Sequence, residues 1–521
     1  MSSDEAGVDG AGIADFGART AKRGIVFLAG ELVSSVFSLL VLIFASRFLG
    51  PSAFGLVAIA VAFSAFVGMG GNFGIGTALR QRLPRLKGIA ERGSYISSGY
   101  AVACSAATLL MAAGLALSGA LAGMVYGNAA LAVPIELASI MVLASVAFNI
   151  TLASLVGIGR VARAAVINSV YPAVQLVGVA ALLLYGYGVT GVMLGMNLGL
   201  LVATLLGLVY LGLDLGFSPN RPTKNIAKNL VGFSAPILVS NISVLGASNF
   251  AVVLLGVFAL PSVVGNYGVA FKLGTVFQTL IVSNTFVLLP AFSEARDGES
   301  ISQRLPHMFG WTLYYSLLMI APLLAYAVAN AAPIVRILFS SAYGLAPLYF
   351  AIISVGTVAG MFGSYAGTFI LSGGDSKRFM RYQLAVVAIE VALLLALTPT
   401  LGAWGPLISV FAAAPVALDA IYMGHMARTH SLHGDIGRIA GVLLASAASY
   451  LAMLLVSVFV HGSIPLVVAN ALLLLAVYPP LLAVLGGIRA KDMDFLRRVA
   501  SHFGAERLAD PFIRYTSLFI R

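Results

Sequence analysis

The chain has 521 residues, 60% of them hydrophobic and only 9% charged, with a mean hydropathy of +1.00. That balance excludes both a water-soluble globular protein and a disordered one. The formal net charge of +11 lies in short hydrophilic gaps facing anionic lipid, which argues against nucleic acid as a partner.

In chain order, residues 1–18 are polar, Gly/Ala-rich and acidic (Asp4, Glu5, Asp9, Asp15) and read as a disordered cytoplasmic tail. Arg19, Lys22 and Arg23 then precede an apolar run too long for a cleaved signal peptide and without a clear cleavage site, so it reads as a retained helix. Fourteen apolar stretches predict helices over 24–46, 53–76, 95–118, 134–156, 166–186, 188–211, 230–257, 262–289, 308–330, 346–371, 381–398, 402–424, 438–461 and 464–486. Each is long enough to cross about 30 Å of hydrocarbon. With both termini in the cytoplasm, the cytoplasmic segments hold 3, 5, 2, 3, 2, 3, 2 and 7 basic residues, together 27 of the 30 Lys and Arg. Only Arg47 and Arg336 fall in the opposite gaps, and Lys272 lies inside an apolar stretch. This positive-inside pattern predicts a multi-pass inner-membrane protein with both termini cytoplasmic. The tail from Arg489 sets Leu496, Val499 and Phe503 beside Arg497 and Arg498, an amphipathic helix for the inner leaflet.

An internal repeat links the two halves. Pro51-Ser52-Ala53-Phe54-Gly55 lines up with Pro261-Ser262-Val263-Val264-Gly265 at an offset of 210. Pro134 with Ala138 matches Pro347 with Ala351 at 213, and Gly157 before Arg160 matches Gly373 before Lys377 at 216. The offset covers six helices, an even number, so the halves run in the same direction. The expected fold is therefore all-α: two six-helix lobes related by a pseudo-two-fold along the membrane normal, plus a C-terminal pair. By residue these are 19–225 (helices 1–6), 226–430 (helices 7–12), 431–488 (helices 13–14) and a cytoplasmic amphipathic tail, 489–521. Two such lobes are a transporter design.

Three segments carry a family resemblance. Arg47-Phe48-Leu49-Gly50-Pro51-Ser52-Ala53-Phe54-Gly55 resembles the R-x-L-G-P-x-x-[FY]-G signature that follows the first helix of bacterial polysaccharide transporters. Val264-Gly265-Asn266-Tyr267-Gly268-Val269-Ala270 resembles their V-G-x-Y-x-x-A segment, and Leu338-Phe339-Ser340-Ser341-Ala342-Tyr343-Gly344-Leu345-Ala346 their L-F-G-x-x-Y-x-x-A loop, with Ser340 in place of the usual Gly. These are the oligosaccharide flippases of the multidrug/oligosaccharidyl-lipid/polysaccharide exporter superfamily. The resemblance implies translocation of undecaprenyl-diphosphate-linked oligosaccharide for O-antigen, capsule or exopolysaccharide assembly, with helices 1, 2, 7 and 8 lining a cavity. It implies no enzyme activity. The expected partners are the lipid-linked oligosaccharide, membrane lipids, and the glycan polymerase and glycosyltransferases of the same pathway.

Ionisable residues within the spans are few: Glu31, Glu136, Lys272, Glu390 and Asp419. Each costs about 2.5–3.5 kcal/mol if turned to lipid, so each should face a cavity or a partner. Lys272 falls about 15 Å into its helix, where a crossing diphosphate needs positive charge, and an ammonium suits phosphate. The alternative is a structural ion pair with an acid. Glu31 could neutralise Lys272 in one state or bind a coupling cation. Arg47 could meet the departing diphosphate or snorkel to lipid phosphate. Asn241 and Asn249 could bind sugar hydroxyls, although interhelical hydrogen bonding accounts for most membrane asparagines.

Other signals point nowhere. Asp492-Met493-Asp494 spells the D-x-D of metal-dependent glycosyltransferases without a surrounding nucleotide-sugar domain, and His425, His430 and His433 lack metal-ligand spacing. The lone Cys104 excludes a disulfide framework and a thiolate metal site. No catalytic residue, metal site or cofactor is expected. Rival readings are a multidrug exporter or peptidoglycan-precursor flippase of the same superfamily, and a membrane glycan polymerase or ligase. The last usually carries a large outer loop, and no outer gap here exceeds about 20 residues.

Overall fold

The computed structural model describes residues 5–216, 221–241, 246–297, 305–372, 375–429, 436–489, 492–494, 497 and 506–519. Every regular element among them is helical, and eleven helices are long and apolar enough to cross a membrane. The chain is thus a multi-pass, all-helical membrane protein. All fourteen expected stretches fall on helices, with breaks that hydropathy does not register.

Helix α1 (Glu5–Asn72) combines two expected spans. Its backbone leaves the helical region at Gly50, with φ 71° and ψ 175°. Glycine reaches that φ without strain, and Pro51 then restarts the helix with a fixed φ. The G-P dipeptide of the first motif is therefore a turn between two legs. The helix also begins at Glu5, inside the segment expected to be a disordered tail. The stretch expected as one helix over 230–257 falls on α7 (Lys224–Asn241) and α8 (Ala247–Phe258), with 242–245 outside the described residues.

The chain forms two compact units, Met1–Gly265 and Asn266–Arg521. This division falls later than the expected lobe boundary at 225/226, because α7 and α8 join the first unit. There α7 packs on α2 (Ile75–Arg82) and α3 (Ile89–Ala120), and α8 packs on α1. The rest of that unit is α4 (Ala132–Gly157), α5 (Val161–Leu184) and α6 (Gly188–Leu215), with α5 against both α1 and α6, and α4 against α3 and α6.

The first turn of α9 (Pro261–Asp297) closes the first unit. A Cβ on Gly55 would sit 1.8 Å from the Pro261 carbonyl oxygen, and one on Gly265 would sit 2.0 Å from the Pro51 carbonyl oxygen. The two segments matched at an offset of 210 thus touch reciprocally, each glycine under the other's proline carbonyl. Such self-complementary contact is what a local two-fold produces.

The second unit continues α9 through α10 (Leu305–Ala329), α11 (Ala331–Leu338), α12 (Ala346–Ala359), α13 (Met361–Ser372), α14 (Ser376–Leu401), α15 (Trp404–Ile408), α16 (Ala414–Thr429), α17 (Ile436–Phe459), α18 (Ser463–Val484) and α19 (Glu506–Ser517). It echoes the first unit's packing. In the first, the Thr151 methyl would lie 2.3 Å from a Cβ on Gly207, joining α4 to α6. In the second, the Gly363 N–H donates to Asp419 Oδ1 at 2.6 Å, joining α13 to α16. Both members shift by 212 residues.

Two of the sequence motifs meet here. The Asn266 Oδ1 accepts from the Leu345 and Ala346 N–H groups at 3.1 and 2.9 Å, satisfying the N-terminus of α12. Phe339, Tyr343 and Tyr267 around it are fully buried. Ser340, at the Gly position of the motif it resembles, takes φ 144°, a region glycine enters far more cheaply. Its Oγ recovers part of the cost by accepting from Ala342 N–H at 3.3 Å. Ser340→Gly should therefore stabilise the protein by about 1 kcal/mol, read as a rise of about 1 °C in Tm for a chain of this length; an unchanged or lower Tm would show that the loop is unstrained.

Hydrogen bonds fasten the C-terminal pair, α17 and α18. Asn470 Nδ2 donates to Asn330 Oδ1 at 2.9 Å, with both residues fully buried, and the Tyr326 and Tyr478 hydroxyls donate to the Val467 and Leu318 carbonyls. Such links hold helices together in hydrocarbon, where apolar burial gives little preference. At the end of α18 the chain folds back on a buried Asp492, which accepts from the Tyr315 hydroxyl, the Arg489 N–H and the Arg438 guanidinium. Arg438 also stacks over the Tyr314 ring at 4.0 Å. The D-x-D pair thus contributes its first aspartate to a structural latch. Asp492→Ala should cost about 3–5 kcal/mol, because it strands a buried guanidinium. Limited proteolysis should then release the C-terminal tail from membranes where wild type resists; equal resistance would argue against the latch. The tail residues Leu496, Val499 and Phe503 lie outside the described set; the described amphipathic helix is α19, whose Tyr515 hydroxyl donates to Ala476 O of α18 at 2.9 Å.

Candidate functional site

Lys272 sits two turns after the Asn266 cap. Tyr267 and Phe271 lie nearly parallel with ring centroids 6.3 Å apart, and Phe271 meets Phe411 at 6.2 Å, so aromatic packing sets the rotation of α9. Leu273, Phe277 and Ile281, at i, i+4 and i+8, are buried. Lys272 falls on another side and is exposed. Thr275 and Thr279 follow it at i+3 and i+7, forming a polar stripe that hydropathy alone did not reveal. Their hydroxyls donate to the Lys272 and Thr275 carbonyls at 2.6 and 2.9 Å, so the stripe can turn toward a polar ligand without breaking the helix.

Among the described residues Lys272 has no ion-pair partner. Neither Asp419 nor Glu390, acids of the same unit, pairs with it among the described residues. Asp419 accepts the Gly363 N–H. Glu390, on α14, is buried. Glu136 accepts from the Ser118 hydroxyl at 3.3 Å.

Glu31 and Arg47 belong to the first unit, and both are exposed on the first leg of α1. Arg80 of α2 lies within electrostatic reach of the Glu31 carboxylate, with no ion pair between them among the described residues. Sequence reasoning paired Glu31 with Lys272 and missed Arg80, because nothing in hydropathy brings positions so far apart together. Arg47 ends the leg just before the Gly50 turn. Asn249 is half-buried on α8, and the Asn241 side chain lies outside the described set. His425 of α16 sits beside Arg378 and Tyr382, at 3.2 and 3.4 Å, while His430 and His433 lie outside the described residues.

The family described as polysaccharide biosynthesis protein matches residues 20–296, just over half of the chain. Solved structures share the fold. A lipid II flippase MurJ in an inward closed conformation aligns with a TM-score of 0.71 at 14% identity, covering 88% of this chain and 98% of that one. An inward-facing multidrug resistance MATE family transporter of the MOP superfamily aligns at 0.64 and 17% identity, covering 78% and 98%. A MOP superfamily transporter from Pyrococcus furiosus aligns at 0.52 and 19% identity, covering 78% and 94%. No curated protein matches the chain in sequence.

Proposed function

The chain belongs to the polysaccharide biosynthesis protein family, and on that premise we propose that it flips undecaprenyl-diphosphate-linked oligosaccharide across the inner membrane by alternating access, supplying O-antigen, capsule or exopolysaccharide assembly. The family match carries this reading. The fold supports it at the level of transporters, shared with structures named as a lipid II flippase and as multidrug transporters. The pair α17–α18 lies beyond two six-helix sets, and a lipid-linked substrate gives such an addition a purpose. In this reading Lys272 neutralises part of the diphosphate charge in mid-crossing. A charge there is tolerable only with a polar counterpart, and the exposed ammonium has none among the described residues. Glu31, within electrostatic reach of Arg80, changes partner or protonation during the cycle. Arg47 and the asparagines Asn241 and Asn249 contact the substrate on its way.

The charge asymmetry supports a cytoplasmic position for both termini and for the loop carrying Arg80, Arg82, Arg85, Lys87 and Arg92. A reporter active only in the periplasm should stay silent when fused after Arg92; a signal there reverses the orientation.

The functional test is complementation. A strain lacking its own oligosaccharide flippase should regain surface glycan when this chain is expressed, with drug accumulation unchanged. Lowered drug accumulation without restored glycan would favour a multidrug exporter.

A further inference from the structure

An apolar groove follows the first leg of α1 and the length of α5. Its cytoplasmic part, about 460 Å³, is lined by Gly30 and Phe37 on one side and by Ala162, Val166, Val170 and Ala173 on the other. A further part, about 350 Å³, continues past Leu40, Phe44, Leu176 and Ala180. Small residues create it. The helices cross so closely that a Cβ on Gly30 would lie 2.8 Å from the Ala165 Cβ, and the Ser169 hydroxyl donates to the Gly30 carbonyl at 3.2 Å. Beyond this crossing, alanines leave the space between the helices unfilled.

The cytoplasmic mouth is cationic. Arg163 stands one turn below Val166 and Val170, with its guanidinium over the Tyr210 ring of α6 at 5.2 Å and donating to the Tyr210 carbonyl at 3.4 Å. Arg160 and Arg163 reach the same carboxylate, at 2.9 and 2.5 Å from the oxygens of Asp214. The Asp214 side chain is only 6% exposed, whereas the two arginines are 56% and 37% exposed. Two positive charges against one negative leave a net positive charge turned outward. Above it, Ala162 to Ala173 spans about 16 Å of helix, close to half of a hydrocarbon core about 30 Å thick.

We propose that this is a binding site for an anionic phospholipid of the cytoplasmic leaflet, with its phosphate on Arg160 and Arg163 and one acyl chain along the α1–α5 groove. The charge selects the head group, as basic pockets between helices on the cytoplasmic side do. The length selects a chain that ends at the bilayer midplane. The site lies within the first unit and does not depend on what the protein transports.

The test is a thermal-shift titration of the purified full chain in detergent, with dioctanoyl phosphatidylglycerol and, in parallel, dioctanoyl phosphatidylcholine. The anionic lipid should raise Tm saturably and the zwitterionic lipid should not; equal shifts overturn the proposal. Arg160→Gln should weaken the anionic lipid about fivefold, the equivalent of about 1 kcal/mol per basic residue at an anionic surface. Ala173→Phe, which fills the groove, should abolish the shift, and an undiminished shift in that variant rejects the groove. Should either variant misfold, the two-lipid comparison on wild type decides alone. Saturable binding of a long-chain polyprenyl phosphate that phosphatidylglycerol fails to displace would also overturn the assignment, by giving the groove to a carrier lipid.

Discussion

Lys272→Ala is expected to leave the protein in the membrane at wild-type abundance while cutting glycan export roughly 10- to 150-fold. Removing a charge from a span does not oppose insertion, so a folding defect is not the expected outcome. The transport loss follows from chemistry. A charge-assisted hydrogen bond contributes about 1.5–3 kcal/mol, and a diphosphate in a low-dielectric path has few other ways to compensate its charge. Lys272→Arg should retain part of the activity, since charge matters more than geometry at a passing phosphate. Glu31→Gln should slow turnover as well, through the loss of the carboxylate's charge. Surface glycan at matched expression is the readout; normal glycan from Lys272→Ala would remove Lys272 from the path.

Gly55→Ala and Gly265→Ala, each alone, are expected to abolish the folded protein. Overpacking a core that can adjust costs about 1–3 kcal/mol. Here the added carbon would meet a proline carbonyl at 1.8 or 2.0 Å, and backbone cannot rotate out of the way. Detergent-extracted protein should run as aggregate by size-exclusion chromatography. A monodisperse Gly55→Ala variant with wild-type Tm would show that the reciprocal contact is not part of the native structure.

Much of the fold was legible because lipid imposes a simple rule: a span must be helical, apolar and about 20 residues long. The breaks were not legible. Gly360 separates α12 from α13, and Gly50 turns α1, yet glycine is too common in membrane helices for hydropathy to single these out. The repeat was visible at Pro51/Pro261 but its physical meaning was not, since nothing in the sequence says that two matching segments touch. The family motifs were read as markers, and the structure gives them work: Asn266 caps the helix that begins with the third motif, and Ser340 occupies a glycine-favouring conformation. At the candidate site, Lys272 stood out because a lone charge in an apolar run is costly. Thr275 and Thr279 did not, because hydroxyls that bond to their own helix pass unnoticed. Arg80 was counted as a loop charge, and its electrostatic link to Glu31 spans too many residues for hydropathy to reveal.

The most direct test of a lipid-linked oligosaccharide flippase is a reconstituted translocation assay. Proteoliposomes containing the purified chain and a fluorescent undecaprenyl-diphosphate oligosaccharide should lose more than half of their signal to a membrane-impermeant quencher, as label from the inner leaflet becomes reachable; vesicles with Lys272→Ala should resemble protein-free vesicles, protected by half. Wild-type vesicles that stay protected by half, under either an imposed proton or sodium gradient, would contradict the account.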